Sequence, residues 1–114
     1  MKKFLVVYHA PIDAMAQTTN VTPEQQAKGM EAWMTWAQKC GSHLLDMGSP
    51  LMNGQQLSPG GGVSSSSKNV AGYSILQAEN MEEAKALLQG HPHTSGWNAD
   101  ATIEVHETMQ LPGM

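Results

Sequence analysis

The chain has 114 residues with one cysteine, six lysines, no arginine and a formal net charge of −4. That length fits one domain able to bury roughly two-thirds of its unfolded surface, enough for a small core without staples. Cys40 alone excludes an internal disulfide and fits a reducing compartment. With no arginine and no basic cluster, nucleic acid is not an expected partner, and there is no guanidinium fork for phosphate. No leader or long apolar run is visible, so the chain reads as soluble and cytoplasmic, with no membrane partner.

Lys2 to His9, "KKFLVVYH", predicts a strand that is apolar on both faces, as for a central strand covered on two sides. A loop is expected over residues 10–21. Thr22 then caps a helix, with Pro23 at its first position, Glu24 in its first turn and Gln25 completing a capping box. Ala27, Met30, Trp33, Met34, Ala37 and Cys40 recur at helical spacing and predict one buried stripe, ended by Gly41. Ser42 to Leu51 predicts a second strand, frayed by Gly48 and suited by Pro50 to a sheet edge. The 52–69 stretch holds "SPGGGVSSSSK" and predicts a loop with too few apolar groups to order itself. Val70 to Gln77 is the third strand. Asn80 caps a second helix, with Glu82 and Glu83 in its first turn, Met81, Ala84, Leu87 and Leu88 inward, and Gly90 at its end. Ala101 to Glu107 alternates as a fourth strand, Ala101, Ile103 and Val105 against Thr102, Glu104 and His106.

The order βαββαβ predicts an α+β, ferredoxin-like fold. Right-handed crossovers give a four-stranded antiparallel sheet of order 4-1-3-2, with both helices on one face. By alternation the other face carries Leu5, Val7, His9, Asp46, Val70, Ser74, Leu76, Thr102, Glu104 and His106. A mixed apolar and polar face of this size needs cover, and a second copy about a two-fold axis would enclose a chamber.

"FLVVYHAP", "AWMTWAQKCGSHLLDMGSPL", "GYSILQAENMEEAKALLQGHP" and "IEVHE" together resemble the YCII-related family of dimeric α/β-barrel proteins. The resemblance spans nearly the whole chain, weakest over 52–69. It implies a ferredoxin-like protomer, a homodimer and an activity on small molecules. A helix-one histidine used in some members has no counterpart between Pro23 and Cys40, and the Asp-Gly-Pro-Phe stretch of a related subgroup is absent.

Long connections gather at the end of the sheet where His9, His91 and His93 fall, which is where binding groups usually sit. His9 is the candidate general base or acid, with Asp46 or Glu104 to orient its imidazole or carry a second proton. The alternative is that His9 merely hydrogen-bonds a loop carbonyl, while the carboxylates pair with lysine or water. Ser74, near the middle of the face, and His91, His93 and Trp97 are candidate ligand contacts. His106 falls towards the far end and is set aside. His91-Pro92-His93 could chelate zinc, copper or nickel if both rings converged, but reads better as a turn stiffened by proline, so no metal and no cofactor is expected. A third reading is a non-catalytic dimer with an apolar cavity, which suits the nine methionines. "SPGGGV" lacks the Gly-Lys-Ser/Thr ending of a phosphate loop, and the Ser64–Ser67 run reads as a flexible loop, with a lid over the chamber as the lesser alternative. Cys40 reads as a packed residue, and "LPGM" as a tail able to swap onto a partner.

Overall fold

The computed structural model describes residues 1–11 and 22–111. The loop expected over 10–21 and the last three residues of the tail therefore lie almost wholly outside the described residues. The elements are β1 (Lys2–His9), α1 (Pro23–Cys40), β2 (Leu44–Asp46), β3 (Gln55–Leu57), β4 (Val63–Ser65), β5 (Val70–Ala78), α2 (Met81–Leu87) and β6 (Thr102–Glu107). Short 3-10 turns occupy Gly41–His43 and Pro92–Thr94. The result is an α+β arrangement consistent with the ferredoxin-like pattern. A four-stranded sheet runs β2-β5-β1-β6, and β3 and β4 form a small sheet of their own.

Each helix starts as its sequence dictates. Thr22 Oγ1 accepts from the Gln25 N–H at 3.2 Å and Gln25 Oε1 accepts from the Thr22 N–H at 3.0 Å, so two orphan donors are satisfied reciprocally. Asn80 Oδ1 accepts from the Glu83 N–H at 2.9 Å. β1 is central and pairs antiparallel with β5 and β6, Phe4 opposite Leu76 and Glu107, His9 opposite Val70 and Thr102. Its inward residues Phe4, Val6 and Tyr8 meet Leu76 and Ala78 of β5, Trp36 and Cys40 of α1, and Ala84 and Leu88 at α2. Trp36 Nε1 donates to the Leu87 carbonyl at 2.9 Å, satisfying one of the acceptors that the end of α2 leaves open.

Four expectations need correction. Ser74 and Leu76 are fully buried on the helix side, not on the open face. The cause is a register shift: Tyr8 faces Gly72 while the next residue, His9, faces Val70, so Ala71 is extra. That bulge reverses the alternation counted from Val70. Tyr73, Ile75 and Gln77, only partly buried, take the open face instead.

The helix-one stripe packs only over its last turns. Cys40 of the stripe and Trp36 beside it are buried, with Trp33 packed against them, whereas Met30 and Met34 are 59% and 46% exposed because the core lies under the C-terminal turns of α1. The second strand is only Leu44–Asp46, followed by an isolated bridge from Pro50 to Gly72. It stops at a tight turn in which the Gly48 N–H donates to Asp46 Oδ1 at 2.8 Å. Gly48 has φ +78°, and a Cβ there would lie 1.7 Å from the Tyr73 carbonyl oxygen, so only glycine fits. Finally, the 52–69 stretch is not a bare loop. Gln55–Leu57 and Val63–Ser65 pair as a hairpin, with Leu57 opposite Val63.

Candidate functional site

On the uncovered face of the sheet the final residue of β1 meets the middle of β6. His9 Nε2 lies 3.0 Å from Glu104 Oε1, and His9 Nδ1 lies 2.7 Å from the Lys68 carbonyl oxygen. The register explains the meeting: His9 sits opposite Thr102, and Glu104 is the next β6 residue on the same face. The Lys68 carbonyl can only accept, so Nδ1 must donate, which fixes the ring and aims Nε2 at the carboxylate. A ring carrying both protons then satisfies both acceptors, and a ring carrying one presents a base at Nε2.

His106 Nε2 also approaches Glu104 Oε1, at 3.5 Å. The carboxylate thus lies between two imidazoles. The hydrogen bond from His9, and after it that from His106, holds the Glu104 carboxyl below the ordinary range, so it is ionised at neutral pH. Height along the sheet alone would leave His106 out. Its spacing of two from Glu104 on a strand was the signal that would have kept it.

Asp46 is not part of this row. It faces Ile75, which pairs with Leu5, four residues before His9 on β1. At about 3.3 Å per residue that is about 13 Å along the sheet, beyond any hydrogen bond. Asp46 Oδ1 is instead used by the Gly48 turn.

Ser74, His91 and His93 belong to a second, buried constellation on the helix side, not to the middle of the open face expected for Ser74 or the loop end expected for His91 and His93. His91 is fully buried and His93 is 6% exposed. The His93 N–H donates to His91 Nδ1 at 2.9 Å, so the neutral His91 ring carries its proton on Nε2. Nε2 lies 3.1 Å from the Tyr8 hydroxyl, which lies 2.8 Å from Ser74 Oγ. Ser74 in turn donates to the Met47 carbonyl at 2.7 Å. Read from the tautomer, every bond has one direction, from His91 through Tyr8 and Ser74 to Met47.

Aromatic rings enclose the start of this chain. Trp36 and Trp33 stand 4.4 and 4.5 Å from the His91 ring, centroid to centroid. Burial, and secondarily the neighbouring His93, pushes His91 from 6.5 down to about 3, so it stays neutral. Burial likewise raises the Tyr8 hydroxyl to about 12. Neither group shuttles protons near neutrality. With both His91 nitrogens engaged, the His91-Pro92-His93 pair does not converge on a cation. Among the described residues no group of three or more histidine, cysteine or acidic side chains could hold a metal ion.

Among the described residues, the buried and open constellations are joined through the main chain. His93 Nε2 donates to the His9 carbonyl at 2.9 Å, from the opposite side of the sheet to the His9 ring. Trp97, 40% exposed, donates from Nε1 to the His93 carbonyl at 2.7 Å and lies against the His93 ring of the same chain. Cys40 is buried and its thiol is pushed up by that burial, as for a packed side chain rather than a nucleophile.

Among the described residues, surface grooves lie elsewhere. One of about 470 Å³ runs between α1 and residues 89–95, touching Lys28, Thr35, Trp36 and Lys39; the other, about 280 Å³, lies by Lys85, Ile103 and Val105. Neither includes His9, Glu104 or His106. Among the described residues, the row of His9, Glu104 and His106 lies on an open sheet face, with the Glu104 and His106 side chains exposed.

Fold and site together define an α+β protein with one sheet face sealed by its helices and a histidine–carboxylate–histidine row on the other. No protein-family model and no curated protein matches the chain. Among solved structures, it is similar to 5-chloro-2-hydroxyhydroquinone dehydrochlorinase from Burkholderia phenoliruptrix AC1100, in complex with 2,5-dihydroxybenzoquinone. The TM-score is 0.46 at 18% identity, covering 90% of each chain. No helix among the described residues is long and apolar enough to cross a membrane.

Proposed function

We propose that this chain is a YCII-related, homodimeric small-molecule-binding protein of the cytoplasm, built as a dimeric α/β barrel. In this reading its open sheet face carries acid–base chemistry of the lyase or isomerase kind. The observation that carries it is the 3.0 Å contact between His9 Nε2 and Glu104 Oε1, with the imidazole locked from behind by the Lys68 carbonyl. A held imidazole beside an ionised carboxylate stores a proton and returns it to a ligand lying on the sheet. His106 adds a second imidazole to the same carboxylate. Leu5 and Val70, 38% and 40% exposed, supply apolar surface for the ligand body. A roof is required, since an open sheet in water gives neither orientation nor desolvation; a second copy facing the first provides one.

The exposed apolar residues also favour a second reading, a non-catalytic binding dimer. Both readings are tested by a fragment screen using ligand-observed NMR, with hits titrated against pH on the wild type and on His9→Ala. A hit that contacts the face and changes its pH profile in the variant supports acid–base use. An unchanged profile removes His9 from that role and leaves the binder. A face that binds nothing ends both.

A further inference from the structure

The β3–β4 hairpin stands away from the core. Leu57 and Val63, paired across it, are 75% and 61% exposed, and Met52 at its base is 78% exposed. The radius of gyration is 15.6 Å, against about 13 Å for a compact chain of this length. An isolated two-stranded hairpin is marginal in water, so this one needs cover.

Its composition sharpens that need. From Met47 to Ser67 there is no charged residue. Exposed strand edges are ordinarily guarded by lysine, proline or inward charge, and neither Gln55–Leu57 nor Val63–Ser65 contains any of these. An unguarded apolar pair on a protruding hairpin suits a contact surface, not a surface meant to stay in solvent.

Area indicates which partner. A face four strands wide and eight residues long covers roughly 500 Å², so two such faces bury about 1,000 Å² in all, below the usual range for a specific complex. The actual face is smaller, since β2 has three residues and β6 six. A dimer closed by the sheets alone would be weak. Leu57, Val63, Met52 and the 40%-exposed Leu51, contributed twice, add on the order of 500 Å². The hairpin also leaves the sheet at the correct end. Its two legs are tied down where the Leu51 N–H donates to the Ala71 carbonyl and the Ala10 N–H to the Asn69 carbonyl, beside His9.

From these observations we infer that the β3–β4 hairpin is a dimerisation arm, lying against the second copy at the His9 end of the sheet. There it supplies the missing interface area and walls the chamber. The inference rests on the face-to-face homodimer proposed above and adds the arm to it.

Sedimentation velocity from below 1 µM to about 100 µM tests it on three proteins: wild type, Leu57→Asp/Val63→Asp, and Ile75→Glu on the open face. The expected result is a wild-type dimer whose dissociation constant rises at least about tenfold in both variants. Because Leu57 and Val63 touch no core, circular dichroism of the arm variant should match wild type. Amides of 55–57 and 63–65 should exchange slowly in the wild-type dimer and quickly after dilution to monomer. A wild-type monomer overturns both the arm and the face-to-face reading. Dissociation by Ile75→Glu alone, with fast exchange in the hairpin throughout, overturns only the arm. Dissociation by the arm variant alone overturns the chamber.

Discussion

Tyr8→Phe removes one oxygen from the centre of the buried chain. That hydroxyl accepts from His91 and donates to Ser74, so the substitution strands one donor and deprives one acceptor. His91 is fully buried and both its neighbouring tryptophans are apolar towards it, so Nε2–H finds no replacement partner. Leaving a buried donor unpaired costs about 1–3 kcal/mol, and the lost bond to Ser74 about 1 more. Ser74 keeps its bond to the Met47 carbonyl, which limits the loss on that side. The sum is about 3 kcal/mol. For a chain of 114 residues the unfolding entropy is roughly 0.24 kcal/mol/K, so Tm should fall by about 12 °C. Urea unfolding followed by tryptophan fluorescence measures this, since Trp33 and Trp36 adjoin the site. Ser74→Ala and the double variant complete a cycle, and a coupling near 1 kcal/mol is expected because the two hydroxyls share one bond. A Tyr8→Phe protein within 0.5 kcal/mol of wild type would refute the directed chain.

Stability should also fall with pH well before the carboxylates titrate. His91 is held down from 6.5 to about 3, so the unfolded ring binds a proton that the folded ring refuses, and stability rises with pH between those values. Between pH 7 and pH 5 roughly 2 kcal/mol should be lost; His93, also lowered by burial, acts in the same direction. Urea melts at those pH values measure it, and equal midpoints would contradict it. Gly48→Ala should cost on the order of 3 kcal/mol, because its Cβ meets the Tyr73 carbonyl at a left-handed φ. Thermal melts of that variant decide the matter, and an unshifted Tm would mean the turn relaxes freely.

Much of this protein is local and hence readable from its residues. Thr22 with Gln25, Asn80 with Glu83, and the alternation of Phe4, Val6 and Tyr8 are short-range patterns, and each specifies its own element without help. The alternation of β6 likewise put Glu104 on the face of His9. What the sequence could not state was register. One extra residue at Ala71 turns Ser74 and Leu76 from the open face to the core, and no composition signal marks a bulge. The second strand shrank because Gly48 must fold under Tyr73, a contact 25 positions away in the chain. His91 and His93 look like ligands in a "HPH" string, but only packing against Trp33 and Trp36 makes His91 a neutral core group. Periodicity is set by the backbone within a few residues, whereas side-chain partners are set by the long-range pairing of strands, and that belongs to the tertiary structure alone.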